Sequence, residues 1–222
     1  MDLEIKMILY RFFIIFVLLI IISTLGISSE EIVRKVIDTY NKLDTFYSIL
    51  EVYNRSYDKE ESSIYELYYQ KPDTYKLEMI EGKDKGEVLI LKGGIVRGHK
   101  GGILKYIVLT VDPNDPSVLN IRKMKINELG LEYVIEQIVQ APVKIVKEDR
   151  IAGYNCYVLE MGLSKDRIYT YVSQVFYIDK NTFIPVQLEQ YENYNNIKTL
   201  VHKRIYKNYK ININFDPNIF KI

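Results

Sequence analysis

The sequence predicts a mainly β chain with two or three helices, its strands forming a strongly curved antiparallel sheet, an incomplete barrel with helices on the concave face. Three observations predict this. About ten stretches from Phe46 onward carry strand chemistry or a two-residue apolar period, and short turns join them. Two stretches, one before the strands and one in their middle, change to helical spacing. No linker rich in Pro, Gly or Ser divides the parts, so residues 29–222 read as one domain. Twist accumulates over so many consecutive antiparallel strands, and such a sheet closes, splits or stays open around something. The amphipathic helices are suited to its mouth, which makes an incompletely closed barrel a lined apolar cavity.

Residues 1–28 stand apart. Lys6 and Arg11 precede an apolar run, 12–22, and the small residues Ser23, Thr24, Gly26 and Ser28 follow it. A basic start, a short apolar core and small residues at its end make a secretory signal. Cleavage after Ser28 places Gly26 and Ser28 at −3 and −1. The run falls short of the roughly 20 apolar residues of a membrane-spanning helix; the alternative is an uncleaved N-terminal anchor. No Cys stands near this point, which excludes a lipoprotein-type acylation there.

Ser28 with Glu31 reads as a capping box. Ile32, Val33, Val36, Ile37, Tyr40 and Leu43 then follow helical spacing over about four turns. The period changes to two at Phe46, Ser48, Leu50 and Val52, which alternate with Tyr47, Ile49, Glu51 and Tyr53. Both faces carry apolar groups, so this strand is expected to be covered on one side and partly covered on the other. Further strands are expected at 63–70, 74–80, 87–91, 95–99 and 103–111, with Gly93-Gly94 and Gly101-Gly102 supplying tight hairpins. Asp112-Pro113 ends this meander. Leu129, Leu131, Val134, Ile135, Ile138 and Val139 predict a central helix over 127–140, stopped at Ala141-Pro142. Strands resume at 143–148, 154–161, 168–178, 183–191 and 197–206.

Composition narrows the chemistry. Among 222 residues the hydrophobic fraction is 48% and the charged fraction 27%, with a net charge of +1, so no bulk positive field is present to hold nucleic acid. With 2 His and 1 Cys, an intrachain disulfide is impossible and a Cys/His zinc cage lacks ligands. His99 reads as an exposed turn residue, His202 as a solvent-facing strand residue and Cys156 as a buried structural thiol. His202, Lys203, Arg204, Lys207 and Lys210 read as a solvated, basic strand face. No nucleophile elbow, phosphate loop or His-x-x-x-His pair occurs. The sequence therefore assigns no catalytic residue, no metal site and no cofactor.

The order of elements, with four local patterns, resembles the LolA-like group of lipoprotein carriers and sensors. Tyr69-Gln70-Lys71-Pro72-Asp73-Thr74-Tyr75-Lys76 is similar to that group's turn between two strands. Gly153-Tyr154-Asn155-Cys156-Tyr157-Val158-Leu159 resembles its second-half strand. Phe176-Tyr177-Ile178-Asp179-Lys180-Asn181-Thr182-Phe183-Ile184-Pro185 resembles its Asp-containing hairpin, and the stretch from Tyr206 through Asp216-Pro217 to Phe220 its closing end. The match spans roughly residues 30–222. Lys71-Pro72-Asp73 followed by Lys85-Gly86-Glu87-Val88 also looks like spore-germination lipoproteins of the GerS type, from which this chain departs by lacking the lipoprotein Cys.

The resemblance implies a half-barrel fold and an exported, non-catalytic carrier or binding protein, periplasmic or at the outer face of the cytoplasmic membrane. Its partner would be the acyl chain of a lipoprotein or another lipid, with no nucleic acid. The alternative is a module that holds or regulates an exported protein, such as a cell-envelope or spore-cortex enzyme. From the residues themselves, Val36, Ile37, Tyr40, Leu50, Val52, Val134, Ile135 and Ile138 are expected to converge on one apolar, ligand-binding surface. The signal reading has a direct check. N-terminal sequencing of the protein from its own cells is expected to begin near Ser29, whereas a start at Met1 in the membrane fraction would make the segment an anchor.

Overall fold

In the computed structural model, residues 27–166 and 168–222 are described; all but the last two residues of the predicted signal lie outside them. Helix α1 spans Ser29–Asn41. Ser28 caps it, its hydroxyl accepting the Glu31 amide at 3.2 Å. Ile32 and Val36 bury its inner stripe. At its other end the Lys71 ammonium sits on the carbonyls of Tyr40 (2.6 Å) and Asn41 (3.1 Å), where a cation complements the helix dipole. The Lys71-Pro72 turn thereby fastens the helix to the sheet.

The strands are β1 Thr45–Ser56, β2 Lys59–Gln70, β3 Thr74–Glu81, β4 Val88–Lys92, β5 Ile95–His99, β6 Leu109–Val111, β7 Val143–Ile151, β8 Tyr154–Met161, β9 Ser164–Asp166, β10 Tyr169–Tyr171, β11 Ser173–Asp179, β12 Pro185–Tyr194 and β13 Ile197–Ile211. Eleven of them form one antiparallel sheet in the order β6-β5-β4-β3-β2-β1-β13-β12-β11-β8-β7, and β9 pairs with β10 separately. The long strand β13 joins the halves, pairing with β1 on one side and β12 on the other. Strands β6 and β7 remain as edges, so the barrel is not closed. Charged residues Lys144, Lys147, Glu148 and Arg150 line the exposed β7 edge and oppose edge-to-edge pairing.

The connection from β6 to β7 crosses the inner face from one edge to the other. It carries 3-10 turns at Pro116–Val118 and Asn127–Leu129 and helix α2 at Leu131–Ile138. Met124, Ile126, Leu129, Leu131, Tyr133, Val134 and Ile138 from this connection join Phe46, Leu50, Leu67, Phe176, Leu188 and Tyr206 of the strands in one core. Burial of each such side chain contributes about 1.5–3 kcal/mol. Inward positions alternate along β1, where Phe46, Ser48, Leu50, Val52 and Asn54 are buried and their neighbours half-buried.

The turns fall into two groups. Those at 71–73, 93–94, 152–153 and 180–184 lie at the near end, where α1 stops. Those at 57–58, 82–87 and 195–196 lie at the far end with the 100–108 loop. The β9–β10 hairpin leaves β8 at the far end and lies across the inner face there, the Tyr169 hydroxyl donating to the Arg122 carbonyl at 2.9 Å.

Four expectations are corrected. Residues 103–111 do not form one strand: a 3-10 turn at Gly102–Tyr106 precedes the short β6. Gly101-Gly102 opens this turn rather than a hairpin, whereas Gly93 (φ 58°) and Gly94 (φ 74°) do form the expected tight turn. The central helix is broken at Gly130, whose extended backbone (φ −78°, ψ 175°) separates Asn127–Leu129 from α2. A Cβ there would meet the Tyr75 ring at 2.7 Å, so Tyr75 fits only because the residue is Gly. The strand expected at 168–178 is split between the β9–β10 hairpin and β11, which belong to different sheets.

Candidate functional site

Seven of the eight residues expected on the apolar surface meet in the main core cluster. Val36, Leu50, Val52, Val134 and Ile138 are buried there; Tyr40 and Ile135 pack against it half-exposed. Ile37 faces away from that cluster, into a groove of about 580 Å³ between α1 and the chain after α2. Val33, Ile138, Val139, Ala141, Pro142 and Val143 line the groove with it. Two helices are expected to cover part of the concave face. The structure adds Val118, Met124, Ile126 and Leu129 of the chain before α2 to that cover, and the β9–β10 hairpin lies beside Arg122 at the far end.

The inner face is open elsewhere, over β2–β4 at the far end. A pocket of about 430 Å³ has an apolar floor of Tyr65, Leu77, Met79 and Leu89. Its opposite wall is Val118, Leu119, Met124, Ile126 and Leu129 of the crossing connection. Leu77, Met124, Ile126 and Leu129 belong also to the main core, so the pocket is a solvent-reaching extension of it. Charged groups ring the mouth: Glu60, Glu61, Lys83, Asp84, Glu87 and Lys100, the last ion-paired with Glu87 and with Asp84 at 3.7 Å. Burial pushes the Tyr65 phenol up to about 12, so it stays a neutral hydroxyl in the floor.

Beside the pocket a buried polar chain crosses the sheet. Arg204 Nε donates to His202 Nε2 (2.9 Å), which fixes the ring proton on Nδ1, facing Asn54 Oδ1 at 2.7 Å. Asn54 in turn donates to Glu61 Oε1 at 2.9 Å, on the pocket rim. Arg204 also donates to the Glu128 carbonyl at 2.6 Å and lies 4.7 Å above the Tyr133 ring. A second buried guanidinium, Arg122, bridges the Arg55 carbonyl (2.9 Å) to Glu192 and stacks on Tyr169 at 4.0 Å. Gln174, Gln190, Gln137 and Ser164 continue the chain between β11, β12, α2 and β9. These bonds tie the crossing connection to the strands.

His202 and Arg204 thus correct the expectation of a solvated basic face: both are fully buried, and only Lys203, Lys207 and Lys210 of that group point outward. Their parity with buried Tyr206 on β13 was the available signal. His99 ends β5 half-buried, its Nδ1 3.0 Å from the Lys100 carbonyl. Cys156 is buried as expected, and burial pushes its thiol up to about 11, away from reactivity. Among the described residues no group of His, Cys, Asp and Glu side chains is placed to hold a metal ion, and no helix is long and apolar enough to cross a membrane.

Comparison with known proteins bears on the fold. A family model described as an uncharacterized protein matches residues 135–220. No curated protein matches the chain. A LolA superfamily protein of Nitrosomonas europaea, NE2245, is similar over 89% of this chain and 99% of its own, with 15% identity and a TM-score of 0.43. The lipoprotein LppX of Mycobacterium tuberculosis matches over 85% of this chain and 100% of its own, with 9% identity and a TM-score of 0.51. MucB matches over 87% of this chain at 11% identity and a TM-score of 0.52; this chain spans 62% of MucB. MucB has also been solved in complex with MucA(peri). At these identities the likeness to LppX and MucB is one of fold alone, an unclosed antiparallel half-barrel.

The polar chain makes stability depend on pH. Burial first, then the charges of Arg204 and Arg122, hold the His202 imidazole well below its usual range. Its folded pKa is lower than its unfolded one, so its contribution is complete above about pH 6.5 and is lost as pH falls. The expected slope reaches about 1.4 kcal/mol per pH unit below that point. Urea unfolding between pH 7.5 and 5 measures it. His202→Gln, which keeps a polar head between Asn54 and Arg204, is expected to flatten the slope; an unchanged slope would assign it to other groups.

Proposed function

We propose that the protein is an exported, non-catalytic binding protein of the cell envelope. In this reading its concave apolar surface carries an acyl chain of a lipoprotein or another lipid. It acts in the periplasm or at the outer face of the cytoplasmic membrane. The observation that supports this most is the far-end pocket, an apolar extension of the core that reaches solvent. Its volume of about 430 Å³ lies within the ~300–1,000 Å³ common for small-ligand sites. A carrier has to release as well as bind. An acyl chain gains about 0.8 kcal/mol per buried CH₂ in a membrane and in an apolar pocket alike, so a shallow, half-open site lets it leave. None of the predicted set lines this pocket: Leu50, Val52, Val134 and Ile138 belong to the core that the pocket extends, and Tyr40 lies at the near end beside Lys71.

A second reading is a protein-binding module. The open groove beside Ile37 and Ile138 favours it, because an apolar strip between two helical segments suits a partner's apolar side chains.

Titration with a fluorescent fatty acid separates the two. Saturable binding is expected, weakened at least tenfold by Val118→Asp or Leu119→Asp in the pocket wall, with stability changed by only about 1 kcal/mol. Ile37→Asp in the groove is expected to leave probe binding intact. Val134→Asp and Ile138→Asp bury an unpaired charge and are expected to cost at least about 3 kcal/mol. Absence of saturable binding by the folded parent would sink the carrier reading, and loss through Ile37→Asp alone would move the site to the groove.

A further inference from the structure

The exposed apolar side chains are unevenly distributed. Six large ones, Tyr57, Ile103, Tyr106, Leu163, Ile168 and Ile197, are 66–88% exposed, and no other among the described residues exceeds 57%. They sit on or directly beside four stretches: the β1–β2 turn, the β5–β6 loop, the chain from β8 to β10, and the β12–β13 turn, after which Ile197 opens β13. All four belong to the far end of the half-barrel, the end at which the 430 Å³ pocket opens. At the near end the corresponding turns carry Ile95 as their most exposed large apolar residue, at 50%.

The form of this surface decides what fits it. Strands stand about 4.8 Å apart, so the β5–β6 loop and the β1–β2 turn are separated by roughly 15 Å along the sheet. The apolar groups are therefore protruding tips, not one patch. A rigid protein partner needs a contiguous apolar centre that both surfaces can dry. Isolated tips each find an apolar environment in a fluid phase. Lys59, Lys105 and Lys165 stand on or beside the same connections and Lys83 and Lys85 on the adjoining β3–β4 turn, interleaved with Asp58, Asp84 and Asp166, and Lys105 lies 5.1 Å from the Tyr106 ring centre. Tyr, Ile and Leu tips flanked by Lys are the chemistry of a membrane interface, where aromatic and aliphatic groups enter the headgroup layer and ammonium groups meet its phosphates.

The largest tip is also held in place. Gly101 approaches the β3–β4 turn so closely that a Cβ would lie 2.1 Å from the Lys85 carbonyl oxygen, and the Ile107 amide closes the turn onto the Leu104 carbonyl at 3.0 Å. The loop thus projects Ile103 and Tyr106 from a fixed base and does not fold them back on the sheet.

We propose that the far end docks on an anionic lipid bilayer, inserting Tyr57, Ile103, Tyr106, Leu163, Ile168 and Ile197 to headgroup depth. The pocket mouth then faces the membrane, and the strands stand across its plane. This inference rests on the loops and stands whether or not the pocket carries an acyl chain.

The test uses the chain from Ile27 onward, which contains the whole described sheet and its core and omits the apolar run 12–22. Vesicles of phosphatidylcholine with phosphatidylglycerol are expected to sediment it, and pure phosphatidylcholine vesicles to do so less. The double change Ile103→Asp with Tyr106→Asp is expected to lower vesicle partitioning at least tenfold while leaving thermal stability and soluble fatty-acid probe binding unchanged. The chain has 0 Trp, so Ile103→Trp supplies a sole reporter whose emission shifts to the blue on vesicles and is quenched by brominated lipid. Ile95→Trp at the near end is expected to show neither effect. A folded parent that ignores anionic vesicles, or a double variant that binds them as well as the parent, would overturn the proposal. So would equal responses of the two Trp reporters.

Discussion

The connection that leaves β6 at one edge of the sheet and reaches β7 at the other has to cross the entire inner face, and its side chains occupy the space between those edges. Leu129, Leu131, Val134 and Ile138 pack on strands from both halves of the sheet. The Tyr206 hydroxyl donates to the Leu129 carbonyl at 2.9 Å, and the Tyr75 hydroxyl donates to Glu132 at 3.1 Å. Edge pairing of β6 with β7 would close the barrel around this segment; instead the segment is the core, and the edges stay apart. Helix α1 completes the cover at the near end, held by Lys71 and by the Thr39 hydroxyl on the Thr182 carbonyl at 3.0 Å.

From this crossing follow the different regions of the interior. Where the segment lies as α2 against α1 and the central strands, the surface is sealed. Where it runs as 3-10 turns over β2–β4, it cannot present enough side chains to fill the curve, and the pocket remains. Between the two, backbone ends of the segment need partners inside the molecule. Arg204 satisfies the Glu128 carbonyl, and Asn120 Oδ1 accepts the amides of Arg122 (2.9 Å) and Met124 (3.0 Å). A buried polar chain of this kind is costly to break, because each lost partner leaves a desolvated group behind. It fixes the position of the segment, and hence the shape of the pocket, more narrowly than apolar packing alone.

Much of this was legible in the sequence. Parity along β1 identified Phe46, Leu50 and Val52 as inward, and Gly93-Gly94 identified a turn that the backbone confirms at φ 58° and 74°. The spacing of Val36 and of Val134 with Ile138 placed both helices on the core. What escaped has physical reasons. Residues 103–109 show the apolar texture of a buried strand, and nothing local states that their neighbours turn away. His202 and Arg204 belong by parity to the inner face, but their partners Asn54, Glu61 and Glu128 come from distant elements, so the satisfied burial of a charge could not be foreseen. The pocket depends on the path of residues 112–130, which has neither a helical nor a two-residue period. Ile37 lies on the open side of α1, where the cover comes from the chain after α2.

The central claim is that an unclosed half-barrel keeps an apolar site open to a lipid at one end. Native mass spectrometry of the protein, purified under mild conditions from its own cells, tests it most directly. The account predicts a species heavier than the bare chain by one acyl-bearing lipid, with the added mass removed by delipidation and restored by the extracted lipid. A bare chain alone, or a stoichiometric complex with a protein and no lipid in any charge state, would contradict it.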